Sequence, residues 1–243
     1  MYSLFAALAA AVATFGIVAV LTKATYAILP AVAVLVGVYW VLARRHSKAV
    51  EGLMEELQRE IQQQRVHSAI RMLEGARHHG KWVFMLEGQI DGQIGTLHYI
   101  QKDFDKALPL LEKAWVKHWV AKSMLAAHWF RKHKPEQALQ TLDEAIAASK
   151  KEPMLYGLKA YMQTKLKDRD GAIATLTDGK DKCPSSAPIA QNLIRLQNAQ
   201  PLDMSLFGEQ WWQYHLEKMS LKQQMALAGV SGKPKGGKKA MYR

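Results

Sequence analysis

Residues 104–114 read FDKALPLLEKA, and the spacing inside this stretch predicts the fold of most of the chain. Ala107, Leu111 and Ala114 stand at positions i, i+4 and i+7, which places them on one face of an α-helix. The two small residues let a second helix approach closely, and the large residue between them fills the remaining space. The stretch therefore predicts one helix of a tightly packed helical pair.

Three more copies of this small–large–small triplet occur in the chain. Successive triplets are 38, 31 and 34 residues apart, and a period of 34 residues is typical of helix–turn–helix repeats. The repetition predicts a row of similar helical hairpins. The further triplets are Ala69, Leu73 and Ala76; Ala138, Leu142 and Ala145; and Ala172, Leu176 and Gly179.

The pattern resembles the tetratricopeptide repeat family, and in particular its membrane-anchored bacterial-type members. In that family the first helix of each hairpin has a small residue twelve positions before the triplet, where this chain has Gly95, Ala126 and Ala160. The resemblance extends over about half the chain. It implies three hairpins after a preceding half repeat, within residues 64–200, with residues 187–198 as a capping helix.

The resemblance also implies a concave groove, lined by the first helices, that binds an extended peptide of a protein partner. The residues at the groove positions are aromatic and basic, which suits a ligand with apolar and acidic groups. For each aromatic residue, ordinary packing between helices is the alternative. The groove positions are Gln89, Thr96, Tyr99, Ser123, Ala127, Phe130, Arg131, Tyr161, Thr164 and Lys165.

The N-terminal part of the chain is apolar, with Lys23 as the one charged side chain in the first 43 residues. Residues 2–21 and 26–43 have no charge, and each covers roughly 27–30 Å as a helix, which matches the hydrocarbon core of a bilayer. The four residues between them predict a tight hairpin. Residues 1–46 are therefore expected to form two transmembrane helices, and a cleaved signal peptide over residues 2–21 is the alternative.

Basic residues predict the orientation of this anchor. Arg44, Arg45 and Lys48 follow the second apolar stretch, whereas the connecting loop has Lys23 alone. The positive-inside rule then places the soluble part in the cytoplasm. We expect an integral protein of the bacterial inner membrane, and the opposite topology, a periplasmic-facing assembly factor, is the alternative. Residues 47–63 keep a helical period and predict a connecting helix.

The C-terminal part of the chain contains an aromatic-rich segment, predicted as a helix within residues 201–230. Phe207, Trp211, Trp212 and Tyr214 lie near one face of that helix. They could pack back on the hairpins, lie at the membrane interface or bind a partner, because Trp and Tyr are common in all three places. The sequence alone leaves these alternatives open.

The tail over residues 231–243 is rich in Gly and Lys and is predicted to be disordered when free. It holds five of the basic residues behind the net charge of +12. Such a tail can bind anionic lipid, RNA or an acidic partner. Its basic residues are Lys233, Lys235, Lys238, Lys239 and Arg243.

Motifs of catalysis do not emerge from the sequence. The nine histidines include no pair at i, i+4 of the kind that zinc sites favour, and there is a single cysteine. The stretch GKPKGGKK at 232–239 lacks the hydroxyl that a phosphate-binding loop requires. We therefore expect no enzyme activity, no cofactor and no metal site.

Together these features predict an all-α protein, a two-helix transmembrane hairpin followed by a short tetratricopeptide-like α-solenoid with a capping helix. Its expected function is that of a scaffold that binds protein partners in the assembly or organisation of a membrane complex. A membrane tether for RNA or ribosomes, acting through the basic tail, is the alternative.

Overall fold

A computed structural model of the chain describes residues 2–21, 24–63, 65–80 and 86–218. All regular elements in these ranges are helices, which confirms the all-α prediction for this part of the chain. The helices are α1 Tyr2–Leu21, α2 Ala24–Gln62, α3 Val66–Gly80, α4 Leu86–Ile100, α5 Phe104–Lys113, α6 Trp119–Arg131, α7 Pro135–Ala148, α8 Pro153–Lys165, α9 Arg169–Lys182, α10 Ala187–Gln197, a 3-10 helix Met204–Phe207 and α11 Glu209–Trp212.

Helix α1 is long and apolar enough to cross a membrane. Its segment Ser3–Val20 has a mean hydropathy of 2.3 over 18 residues. A signal sequence near an N-terminus has the same length and composition. The second apolar stretch, Ile28–Leu42 in α2, is shorter than such a span and shorter than residues 26–43 that the sequence predicts.

The contact between α1 and α2 places small residues inside and large residues outside. Ala7, Ala11 and Ala31 are buried, whereas Val12 is 69% exposed and Val20 is 87% exposed. This distribution is the reverse of the burial that water favours. It is the distribution found where helices pack through small residues in lipid.

Helix α2 continues without interruption for 39 residues, which is about 58 Å. It therefore includes both the second apolar stretch and the connecting helix predicted over residues 47–63. Its last turns pack against α3, where Leu57 is buried with Ala69 and Leu73. The half repeat predicted before the three hairpins is therefore part of a full hairpin. The end of α2 is the first helix of this hairpin and α3 is the second.

Three further hairpins follow, formed by α4 with α5, α6 with α7, and α8 with α9. The small–large–small triplets lie on the second helices, except that Ala114 follows the last residue of α5, and all of their residues are buried. We call the first helix of each hairpin helix A and the second helix B. We count α10 as a further helix A, and α4, α6, α8 and α10 contact one another in that order. The A helices thus form one continuous layer.

The turns that end the A helices are nearly identical. Each has one residue with a positive φ, and the residue after it donates its N–H to the carbonyl five positions earlier. This is the hydrogen bond of a Schellman turn. The left-handed residues are Lys102, His133, Lys167 and Ala199, and the bonds are Asp103 to His98, Lys134 to Trp129, Asp168 to Gln163 and Gln200 to Arg195. Helix α10 therefore ends in the same turn as α4, α6 and α8.

The C-terminal segment differs from the single helix predicted within residues 201–230. It has a 3-10 helix, Met204–Phe207, and the four-residue helix Glu209–Trp212. Gly208 separates them with a φ of +73°, which a helix cannot contain and which glycine adopts at little cost. The helix predicted here is therefore broken at Gly208 and ends at Trp212, and residues 219–230 lie outside the described residues.

Replacing Ala138 with Leu should lower the melting temperature of the protein. Ala138 has no exposed surface in α7, and overpacking such a site costs about 1–3 kcal/mol. Ala147→Leu, on the exposed side of the same helix, is the matched control. Thermal unfolding of the full chain in detergent measures both, and equal melting temperatures would contradict the close helix approach.

Candidate partner-binding groove

The inner face of the A-helix layer is covered by the chain's own C-terminal segment. After α10 the chain turns back, and Asn192 fixes the turn. Its side-chain amide donates to the carbonyl of Asp203 at 3.1 Å and its side-chain oxygen accepts from the N–H of Asp203 at 2.7 Å. Arg195 Nε also donates to the carbonyl of Pro201 at 2.8 Å. We call residues 204–217 the return segment.

The return segment first contacts α8. The Phe207 ring lies so close to Gly157 that a Cβ at this glycine would overlap it. Trp211 is 1% exposed, and its ring meets that of Tyr161 edge-on at 4.8 Å between centroids. Such a contact adds about 0.5–1.5 kcal/mol to the gain from burial. The hairpin of α8 and α9 therefore holds the segment through aromatic packing.

The segment then crosses to α6 and α4 at Tyr214. The Tyr214 hydroxyl lies 2.9 Å from Ser123 Oγ. Tyr99 donates its hydroxyl to the carbonyl of Tyr214 at 3.1 Å. Burial raises the pKa of Tyr99 to about 12 and raises the pKa of Tyr214 as well. Both phenols therefore stay neutral and keep these buried hydrogen bonds at physiological pH.

His215 follows in a largely apolar environment. Its ring stacks on that of Tyr99 at 5.8 Å and meets that of Phe104 at 6.0 Å. Its Nε2 is buried without a hydrogen-bond partner among the described residues. Burial lowers the pKa of His215, and the nearby charges of Lys102 and Arg131 lower it further. The structure therefore favours the neutral imidazole.

Several of the predicted groove residues lie beneath this segment and are closed to an outside ligand. Tyr99, Ser123 and Tyr161 contact it directly. Thr96 and Thr164 donate their hydroxyls to carbonyls of their own helices. Ala127 is fully buried, and Gln89 is half-buried at the start of α4. The middle of the face that the resemblance predicts as a ligand groove is thus covered by the chain itself.

The four aromatic residues of the return segment accordingly pack on the hairpins, which is one of the three placements that the sequence leaves open. Phe207, Trp211, Trp212 and Tyr214 all belong to the largest apolar cluster or pack against it. Of the basic residues predicted beside the membrane, Arg44 is exposed on α2 and its guanidinium lies 4.9 Å from the Trp40 ring centre. Arg45 and Lys48 also belong to α2, and Lys233, Lys235, Lys238, Lys239 and Arg243 lie outside the described residues.

The groove stays open at one edge, where α6 and α8 end. Phe130, Arg131 and Lys165, all predicted groove residues, border a cavity of about 540 Å³. We call this cavity the open pocket. Its remaining lining residues are His133, Pro135, Tyr161, Leu166 and Leu216. Of these five, the sequence analysis predicted only Tyr161 as a groove residue. Leu216 belongs to the return segment, so that segment contributes one wall of the pocket.

The open pocket combines apolar walls with positive charge. The Arg131 guanidinium lies 4.1 Å from the centre of the Phe104 ring, and the Lys165 ammonium lies 5.1 Å from that of Tyr161. Glu217 stands at 4.0 Å from Lys165 and accepts a hydrogen bond from Trp211 Nε1 at 3.1 Å. A carboxylate of the chain thus already uses one of the two cations at this edge.

No family model and no curated protein matches this chain. Within the described residues, no three His, Cys, Asp or Glu side chains lie together as a metal site would require.

Replacing Trp211 with Ala should destabilise the protein strongly. The change empties a buried aromatic site, which costs about 3–5 kcal/mol. Gln210→Ala, at the exposed neighbouring position, should leave the melting temperature nearly unchanged. If both variants melt at the wild-type temperature, the return segment is not packed on the A helices in solution.

The protein should lose stability as the pH falls below about 6.5, in part through His215. Its pKa lies below the ordinary 6.5 in the folded chain, so the unfolded chain takes up the proton more readily. Stability from this group is therefore complete above pH 6.5 and declines below it. His215→Asn should reduce the difference in melting temperature between pH 7.5 and pH 5.5.

His133→Asn is the control for this measurement, because His133 also has a positive φ but is exposed. Burial also lowers the pKa of His98, His118 and His128, and these residues are unchanged in both variants. The comparison therefore isolates His215. The same pH dependence in both variants would show that His215 is not buried in the folded protein.

Proposed function

We propose that the protein is a non-enzymatic, membrane-anchored scaffold of tetratricopeptide-like hairpins that binds a protein partner in the assembly or organisation of a membrane complex. The open pocket is the observation that supports this proposal most directly. It is a composite site with apolar walls and two cationic side chains, located where the neighbouring helices α6 and α8 end.

The apolar N-terminal helices support the anchor. Small residues fill the contact of α1 with α2, and large apolar side chains such as Phe5 and Val20 remain exposed. A hairpin of two membrane-spanning helices accounts for this surface. Arg44, Arg45 and Lys48 then favour a cytoplasmic soluble part at the bacterial inner membrane.

The repeated turns support the solenoid. Four A helices end in the same hydrogen-bonded turn, spaced by 31, 34 and 32 residues at their left-handed positions. Stacked hairpins of this period with buried small residues are what the tetratricopeptide family is built from. On this basis α10 is the capping helix of the array.

The chemistry of the open pocket indicates its ligand. An apolar side chain fits between Phe130, Leu166 and Leu216. Flanking carboxylates can pair with Arg131, and with Lys165 when they take the place of Glu217. The rest of the groove stays closed, because Trp211 and Tyr214 are buried and their polar atoms are satisfied. The partner is therefore expected to offer a short acidic and apolar segment rather than a long groove-filling peptide.

A pair of synthetic ten-residue peptides tests this ligand class on the full chain in detergent. Alternating Glu and Leu should bind, and alternating Gln and Leu should bind much more weakly. The double variant Arg131→Gln, Lys165→Gln removes two exposed charge contacts of about 0.5–1 kcal/mol each. The affinity for the acidic peptide should then fall roughly five- to thirtyfold.

The double variant Lys180→Gln, Lys182→Gln is the matched control, because it removes the same charge from α9, away from the pocket. An equal loss in both double variants, or equal binding of the two peptides, would rule out the open pocket as the site. Carbonate extraction tests the anchor separately, since release of the intact chain into the soluble fraction contradicts it.

The basic tail favours a second function, a tether for RNA or ribosomes. Five of its thirteen residues are basic, which suits phosphate binding. Deleting residues 232–243 separates the two proposals. Loss of RNA retention with unchanged peptide binding supports the tether.

A reporter fused to Arg243 tests the orientation of the protein in the membrane. Activity of the reporter on the outer face supports the periplasmic-facing alternative.

A further inference from the structure

Successive helices of the soluble part run in opposite directions, so that the connections alternate between two ends of the array. Arg77 near the end of α3 pairs with Asp91 near the start of α4 at 2.5 Å, as antiparallel neighbours require. The turns that end the A helices therefore lie at one end, the distal edge. The connections from each helix B to the next helix A lie at the other end, the proximal edge.

The continuity of α2 fixes the distance between the proximal edge and the membrane. Leu57 and Leu73 belong to one buried cluster, so Gly80, seven residues beyond Leu73, lies level with about residue 50 of α2. The apolar stretch of α2 ends at Leu42, which is about 12 Å below that level. Lipid headgroups occupy roughly 5–8 Å of this distance. The gap that remains is within the length of a lysine side chain.

The described part of the proximal edge has the composition of a surface that contacts lipid headgroups. We define it as residues 113–118, 149–152 and 180–186, which contain six lysines and two acidic residues. Val116 is 39% exposed at its tip. The Lys117 ammonium lies 5.7 Å from the centre of the Trp115 ring. Aromatic and basic side chains side by side are typical of membrane interfaces.

The distal edge lies too far away for the same contact. Helix α3 has 15 residues and adds about 22 Å to the distance from the bilayer. Charges there, including Arg131 and Lys165, are more than three Debye lengths of roughly 8 Å from the headgroups at physiological salt. The two basic edges of the array thus face different surroundings.

From this geometry we infer that the proximal edge rests on the anionic headgroups of the membrane that holds α1 and α2. The lysines at 113, 117, 150 and 151 contact the lipid, and Trp115 and Val116 lie at its surface. The array then stands upright, with the open pocket roughly 30 Å from the bilayer. This inference rests on the proposed membrane anchor.

Fluorescence quenching in nanodiscs tests the contact with the full chain. In a Cys183→Ser background, a fluorophore is attached at Val116→Cys or, as the distal control, at Lys132→Cys. Nanodiscs of phosphatidylcholine with phosphatidylglycerol contain a lipid with a nitroxide quencher on its headgroup. The label at 116 should be quenched several-fold more than the label at 132, and replacing phosphatidylglycerol with phosphatidylcholine should reduce the difference.

Charge variants test whether the proximal lysines contribute to the contact with lipid. The quadruple change to Gln at Lys113, Lys117, Lys150 and Lys151 should reduce quenching of the 116 label. The matched quadruple change at the distal residues Lys132, Lys134, Lys165 and Lys167 should leave it unchanged, and melting temperatures check that both variants fold. Equal quenching at 116 and 132, or no effect of the proximal change, would overturn the inference.

Carbonate extraction of the same proteins separates this inference from the proposed anchor. Retention in the membrane with an unquenched 116 label refutes the edge contact alone. Release of the chain into the soluble fraction refutes the anchor and the edge contact together.

Discussion

Close approach of helices through small residues is the constraint on which the rest of this structure depends. Ala107, Ala138 and Ala172 have no exposed surface, and their neighbours leave no room for a larger side chain. Because every hairpin is closed in this way, the A helices lie side by side as one layer. That layer determines where the return segment lies and where the two edges of the array face.

A row of so few hairpins leaves one face of its A-helix layer without a covering layer. Repeat arrays need several units to bury a continuous core, and here the return segment adds the missing cover. Trp211 and Tyr214 fill the layer, while Tyr99 and Ser123 satisfy the polar atoms that the segment introduces. The largest apolar cluster therefore includes residues from both the hairpins and the C-terminal segment. The packing of the return segment on the A helices therefore both stabilises the array and closes its groove.

The hairpins could be predicted from the sequence because their determinant is local, a triplet on one helix face with a matching residue twelve positions earlier. The continuity of α2 could not, because its composition changes from apolar to amphipathic near Arg44 although no helix break occurs there. The position of the return segment could not be predicted from the sequence either. The spacing of Phe207, Trp211 and Tyr214 predicts that these side chains are buried. It does not predict what buries them, because a membrane, a partner protein and the chain's own hairpins all offer an apolar surface. Gly208 then divides the segment through a positive φ that helical periodicity does not reveal.

The path of the return segment also determines where the described part of the chain ends. The segment enters near the start of α8 at Phe207 and leaves beside Leu216 at the open pocket, so Lys218 lies near the distal edge. If α1 and α2 lie in the bilayer, this point stands far from the headgroups, whereas the lysines of the proximal edge lie against them. An acidic partner at the open pocket would then occupy the distal edge, and the lipid would occupy the opposite edge.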